Sequence, residues 1–253
     1  MQKREAAAVI NISSIKAACK DCTLQELCLP LGLEDVDIAA LDKAIKRRRT
    51  LKKGEMLYRF GDPLRSLYAI RSGALKTTGL IEDGRAQVTG FYLPGELLGI
   101  DAISTDKHPC SAEALETSEV CDIPYPALED LATKIPGLQH QLLRIMSREI
   151  VRDEEMLMML GRMTAEERLA SCLVSFSRRL ARLGGQPTEF KLSMSRQDLG
   201  DYLGLALETV SRLLSRFHDE GLISVHGRQI TLRDLNRLRA MAAGNGREHS
   251  ASA

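Results

Sequence analysis

The sequence predicts an α+β chain in which a body of short β-strands, one long amphipathic helix and a small helical domain carrying a β-hairpin follow one another. Three observations carry that reading. Turn signals such as Phe60-Gly-Asp-Pro, Arg71-Ser-Gly, Glu82-Asp-Gly-Arg and Leu93-Pro-Gly-Glu recur about every 10–12 residues between Leu51 and Pro124, the spacing of a β-sandwich or barrel. Residues 138–160 contain neither Gly nor Pro and are rich in Leu, Ile and Met. Two short helical patterns parted by Gly204 are followed by two strand-like runs around His226-Gly-Arg228.

A length of 253 residues is long for one core and comfortable for two domains. Hydrophobic residues make up 44%, an ordinary share, and no apolar run exceeds about five residues, against the roughly 20 of a membrane-spanning helix. The opening Met1–Ile12 lacks the long apolar stretch of a secretory signal, so a cytoplasmic protein is expected. Residues 1–160 carry 21 Lys and Arg against 24 Asp and Glu, a balance of −3; residues 161–253 carry 14 against 10, a balance of +4. A basic C-terminal piece on an acidic body hints at a polyanionic partner.

The elements follow in order. Residues 1–35 form a cysteine-rich extension. Residues 36–135 open with a short helix (Val36, Ile38, Leu41 and Ile45 at helical spacing) and continue as the strand-rich body. Residues 136–161 make the long helix, where Leu143, Met146, Ile150, Asp153, Leu157 and Leu160 fall at alternating intervals of 3 and 4, a coiled-coil seam. A helix that packs this stripe on the body is the alternative to one that pairs with its twin. The polar Asp153 between Ile150 and Leu157 favours pairing, because a lone polar group in a seam costs stability but controls association. Residues 162–243 begin with a helix capped by Thr164-x-x-Glu167, on whose apolar side Cys172 reads as a core residue. Residues 244–253 are a small polar tail, expected to be disordered.

Within the C-terminal piece, Ser195 reads as an N-cap with Asp198 in the first turn, and Leu199 and Leu203 supply a buried face. After Gly204 a second helix buries Val210, Leu213, Leu214 and Phe217 and presents Glu208, Ser211, Arg212 and Ser215 on its other face. Two such helices with a hairpin behind them make a winged helix-turn-helix, whose second helix enters the major groove of double-stranded DNA. Arg suits guanine, Glu the cytosine amino group, and Ser either role.

Cys19, Cys22 and Cys28 form C-x2-C-x5-C, three thiols close enough to hold zinc or an iron–sulfur cluster with a fourth ligand from Cys110, Cys121, Cys172 or a non-cysteine residue. With Ser66-Leu-Tyr-Ala-Ile-Arg-Ser-Gly73, Thr89-Gly-Phe91, Leu115-Glu-Thr-Ser-Glu-Val-Cys121, Ala165-Glu-Glu-Arg-Leu169 and Glu208-Thr-Val-Ser-Arg-Leu-Leu214, the chain resembles the fumarate-and-nitrate-reduction (FNR) regulators of the cyclic-AMP receptor protein superfamily, from about Cys19 to Leu235.

That resemblance implies a jelly-roll-like β-roll as the sensor body, a dimerisation helix, and a [4Fe–4S] cluster held by Cys19, Cys22, Cys28 and Cys121. It also implies an oxygen-sensing regulator of anaerobic metabolism that binds, as a homodimer, an inverted repeat of the TTGAT…ATCAA kind through Glu208, Ser211 and Arg212 while its cluster is intact. Ile150, Asp153 and Leu157 would form the dimer switch, and Glu82, Asp83, Gly84 and Arg85 a contact with RNA polymerase. Two departures stand out. His108-Pro109 replaces the Arg-Ser or Arg-Thr pair with which relatives grip a cyclic nucleotide, so such control is not expected. Ala206 stands where the family caps its recognition helix with Thr or Ser. The competing reading is a small-molecule-responsive regulator of the same fold with structural zinc. An enzyme is not expected, since no titratable residues fall at catalytic spacing.

Overall fold

The computed structural model describes residues 19, 22, 28–45, 47–80 and 86–244. Helix α1 (Asp35–Ala44) precedes eight strands: β1 (Arg47–Leu51), β2 (Met56–Tyr58), β3 (Ser66–Ser72), β4 (Leu75–Leu80), β5 (Ala86–Tyr92), β6 (Leu97–Leu98), β7 (Ser111–Ala114) and β8 (Ser118–Pro124). They form two antiparallel four-stranded sheets, ordered β1-β8-β3-β6 and β2-β7-β4-β5. This is the expected β-roll. All seven residues of β3 are buried, so this strand shows no in–out alternation.

Helix α2 (Tyr125–Lys134), which the periodicity does not announce, closes the body and leads directly into α3 (Pro136–Arg162). Proline at the start of each costs no hydrogen bond, because the first helical amides have no intrahelical partner. Leu29, Leu41, Leu67, Ile123, Leu128, Leu138 and Ile145 join α1, α2 and the first half of α3 to the β1-β8-β3-β6 sheet in one apolar cluster.

The C-terminal domain runs through α4 (Ala165–Arg182), β9 (Glu189–Lys191), α5 (Arg196–Leu203), α6 (Leu207–Asp219), β10 (Ile223–His226), β11 (Gln229–Leu232) and α7 (Leu235–Ala242). The expected hairpin acquires a third strand, giving the order β10-β11-β9. Capping boxes form at Thr164–Glu167 and Ser195–Asp198, and Gly204 ends α5 at φ 64°, in the left-handed region glycine tolerates. Ala206 leaves α6 without a side-chain cap. Cys172 is buried in the core of this domain, as expected.

This domain docks on the body. Its core is continuous with Val88, Phe91 and Leu93 of the second sheet's side, and Phe91 packs on Tyr202 with ring centroids 4.9 Å apart. Lys76 of β4 pairs with Asp198 at 2.7 Å, and Ser193 donates to Glu116 at 2.8 Å. Glu96 binds Arg152 of α3 and Arg179 of α4, so one carboxylate joins the body, the long helix and the third unit. Among the described residues, no helix is long and apolar enough to cross a membrane.

Candidate cysteine centre and DNA-reading face

Residues far apart in sequence meet at the outer face of the β1-β8-β3-β6 sheet. Cys121 lies on β8 with Ala69 opposite it on β3 and Arg48 opposite it on β1. Cys28 enters the same apolar cluster as Cys121. The backbone amide of Cys19 donates to Asp42 of α1 at 2.9 Å, and the amide of Cys22 donates to the carbonyl of Cys19 at 3.3 Å. The Cys28 carbonyl accepts a 3.1 Å hydrogen bond from the side-chain amide of Gln141 in α3.

The electrostatics reflect this gathering. Burial pushes the Cys19 and Cys28 thiols up to about 12, with further upward pressure on Cys19 from Asp42, Cys28 and Cys121 and on Cys28 from Cys121 and Cys22. Burial also raises Cys121, which Cys22 presses the same way, against the opposing charges of Arg71 and Arg48. Cys19, Cys28 and Cys121 therefore each feel at least one of the other cysteines. The remaining cysteines are elsewhere: Cys110 donates to Asp101 at 3.2 Å inside the body, and Cys172 belongs to the C-terminal core.

Such a donor set has a definite chemistry. Four half-buried or buried thiols on an apolar floor are poor ligands while protonated, and a bound metal group displaces those protons. Among the described residues, no three of His, Cys, Asp and Glu are drawn together as a ready site for a metal ion.

The coiled-coil seam is exposed in the single chain. Leu143, Met146, Ile150 and Leu157 are exposed, the last at 71%, which excludes the alternative that α3 packs this stripe on its own body. Leu160 departs from the stripe and packs against the C-terminal core. Asp153 is exposed, and its carboxyl is nonetheless raised by partial burial and by Asp101, against Arg152.

On α6, Val210, Leu213, Leu214 and Phe217 are buried, while Glu208 and Arg212 are exposed and Ser211 is half-buried. Arg196 of α5 donates to Ser211 at 3.3 Å and Arg212 to Thr209 at 3.4 Å, contacts weak enough to exchange for base edges. The β10-β11 hairpin is fastened to α6 through the Val225 amide, which donates to Nδ1 of His218. Residues 82–85 lie outside the described residues, as do most of residues 1–35 and the tail beyond 244.

Around His108 the interior of the body is closely packed. His108 is 2% exposed and stacks on Tyr58 with centroids 3.7 Å apart and planes 10° off parallel. The cavity beside Glu96 measures about 60 Å³, against roughly 300–1,000 Å³ for small-molecule sites.

Sequence reasoning missed two buried polar residues, Gln141, which bonds the Cys28 carbonyl, and Arg71, on the strand paired with that of Cys121. Neither carried a usable signal: Gln141 directly follows Gln139 and His140, and nothing in the sequence marks Arg71 as buried.

Comparisons with known proteins agree with this fold. Residues 167–241 match the Crp-like helix-turn-helix domain and residues 48–134 the cyclic nucleotide-binding domain. The chain is 50% identical over 230 residues to the transcriptional activator protein Anr of Pseudomonas protegens, covering 91% of this chain and 94% of that one. It is 47% identical over 224 residues to the fumarate and nitrate reduction regulatory protein of Salmonella typhimurium, covering 88% and 90%. FixK2 from Bradyrhizobium japonicum superposes with a TM-score of 0.71 at 36% identity, covering 77% of this chain and 96% of that one.

Proposed function

The chain belongs to the fumarate-and-nitrate-reduction family of transcription regulators, and from that premise we propose that it is an oxygen-sensing member whose DNA binding is set by a [4Fe–4S] cluster. The observation that supports this reading is that Cys28 and Cys121, far apart in sequence, pack in one apolar cluster beside α1, to which the Cys19 amide is bonded, while Cys110 and Cys172 are engaged elsewhere. Those four thiolates would hold the cluster; when bound, it supplies a group that oxygen degrades and that ties the N-terminal segment to the sheet.

The chain's own residues then do the rest. Cys28 is tied to Gln141, so ordering the cysteine segment steadies the first turns of α3. The exposed stripe of Leu143, Met146, Ile150 and Leu157 pairs with a second copy, burying apolar area that water otherwise covers. Pairing presents two α6 helices to successive major grooves of an inverted repeat of the TTGAT…ATCAA kind, read by Glu208, Ser211 and Arg212. Residues 82–85 contact RNA polymerase, and the protein works in the cytoplasm. Cyclic nucleotide does not control it, because Tyr58 and His108 fill the body and Glu96 is spent on Arg152 and Arg179.

The test is an absorption spectrum of protein purified without oxygen, with iron and sulfide analysis, before and after admission of air. A broad visible band that bleaches in air, with iron and sulfide near four each per chain, is expected. A colourless protein containing zinc overturns the reading.

A further inference from the structure

Arg71 is 3% exposed, yet its Nε and Nη2 have no hydrogen-bond partner among the described residues. Its nearest carboxylate, Glu119, stands 3.8 Å from Nε, beyond hydrogen-bonding distance. A buried guanidinium with idle donors is costly and calls for an acceptor that completes it.

The backbone explains how it comes to be there. Strands β3 and β8 pair Ile70 with Val120 and then Ser72 with Glu119, so Arg71 is the extra residue of a bulge. Bulges re-aim a side chain, and this one lies two residues from Ala69, the direct partner of Cys121. Arg71 is also the strongest opposing charge that Cys121 feels, ahead of Arg48. Arg48, across the sheet from Cys121, already has a partner of its own.

We propose that Arg71 is a positioning residue of the cysteine centre, whose idle Nε and Nη2 hydrogens are donated to the sulfur atoms of the anionic group held by Cys19, Cys22, Cys28 and Cys121. This inference rests on the cluster reading above. Thiolate ligands and bridging sulfides are acceptors that carry net negative charge, the complement of a desolvated guanidinium. Without the group, Arg71 is a buried charge with a loose 3.8 Å ion pair to Glu119 and no acceptor among the described residues for its Nε and Nη2 hydrogens. With the group present, the same charge is satisfied and holds it in place.

The two states therefore respond to substitution with opposite sign, which a merely structural role would not produce. Three proteins are compared under argon: wild type, Arg71→Met, which keeps the length and removes the charge, and Arg71→Lys, which keeps the charge. Melting is followed by circular dichroism on the cluster-free chains. Release of iron to a chelator is followed on the reconstituted chains, and Fe–S stretching frequencies are read by resonance Raman. Cluster-free Arg71→Met is expected to melt a few degrees higher than wild type. Loaded Arg71→Met is expected to release iron about tenfold faster with shifted stretching frequencies, the scale of lost outer-shell partners. Arg71→Lys is expected to fall between the two. Lower melting of cluster-free Arg71→Met, failure of that variant to fold, or an unchanged release rate overturns the inference alone. A wild type that takes up no iron overturns the cluster reading, and the inference with it.

Discussion

The side-chain amide of Gln141 donates to the carbonyl of Cys28, joining α3 to a residue 113 positions earlier in the chain. Gln141 is 1% exposed, so this bond is made out of water. It connects the cysteine segment to the helix whose exposed stripe lies further along. Gln141→Leu keeps the volume and leaves the Cys28 carbonyl with one donor fewer, at a cost of about 1 kcal/mol, or about fivefold in an equilibrium. The expected outcome is a loaded protein with normal iron content and DNA affinity weakened about fivefold under argon. Iron analysis and DNA titration on the same preparation check it; equal loss of iron and affinity would reduce Gln141 to a support of the centre.

Serine at Cys19, Cys22, Cys28 or Cys121 should each abolish cluster uptake and anaerobic DNA binding, since a hydroxyl is a poor thiolate substitute. Cys110→Ser and Cys172→Ser should keep the cluster, because one thiol is bonded to Asp101 and the other lies in the C-terminal core. Iron and sulfide counts on six single variants decide it. A full cluster in Cys121→Ser together with loss in Cys110→Ser would refute the fourth ligand.

Arg212→Ala should cost roughly 1–3 kcal/mol per half-site, and only on the inverted repeat. Arg212 is exposed on α6 and its hydrogen bond to Thr209 is long, so little folding energy is at risk. Parallel titrations of consensus and scrambled duplexes are the measurement; equal losses on both would make Arg212 a phosphate contact.

Asp153→Ala should let the aerobic, cluster-free protein dimerise and bind DNA. On the proposed pairing, two α3 helices would bring two Asp153 carboxylates together, and each would repel the other and lose hydration. Partial burial already raises this carboxyl in one chain, with Asp101 adding and Arg152 opposing. A carboxyl raised further by association takes up a proton as the pair forms. Dimerisation of wild type should therefore strengthen as pH falls toward that raised value and weaken as pH climbs above it. The variant should lack this dependence. Sedimentation of both proteins in air, from neutral to mildly acidic pH, reads the monomer fraction; identical fractions would mean Asp153 is not the brake.

Turn signals made the strand-rich body legible and helical spacing the long helix and the α5–α6 pair, although the stripe that marks the long helix is exposed in the single chain. Helix α2 escaped because only Leu128 of its ten residues is buried, too little to set a period. Cys121 could not be singled out by spacing, since β8 pairing rather than proximity in the chain brings it to Cys28. Arg71 was invisible for a different reason. Its strand is buried on both faces, and only the bulge between Ile70 and Ser72 reveals that a charge has been turned inward. Leu160 kept the seam's interval yet left the seam, because the C-terminal domain claims the end of α3.

Filled by the stacked rings of Tyr58 and His108, the β-body is a block rather than a vessel. A vessel can change shape when its contents change; a close-packed block resists compression and keeps its form. Any signal must then arrive as something wedged between the block and a lever. Cys28, Cys121 and the first half of α3 meet on the block's outer wall, where a bound group would sit as such a wedge. On the proposed function, its loss would push nothing. It would leave the lever slack, so the inactive state would need no second architecture, only the withdrawal of a support.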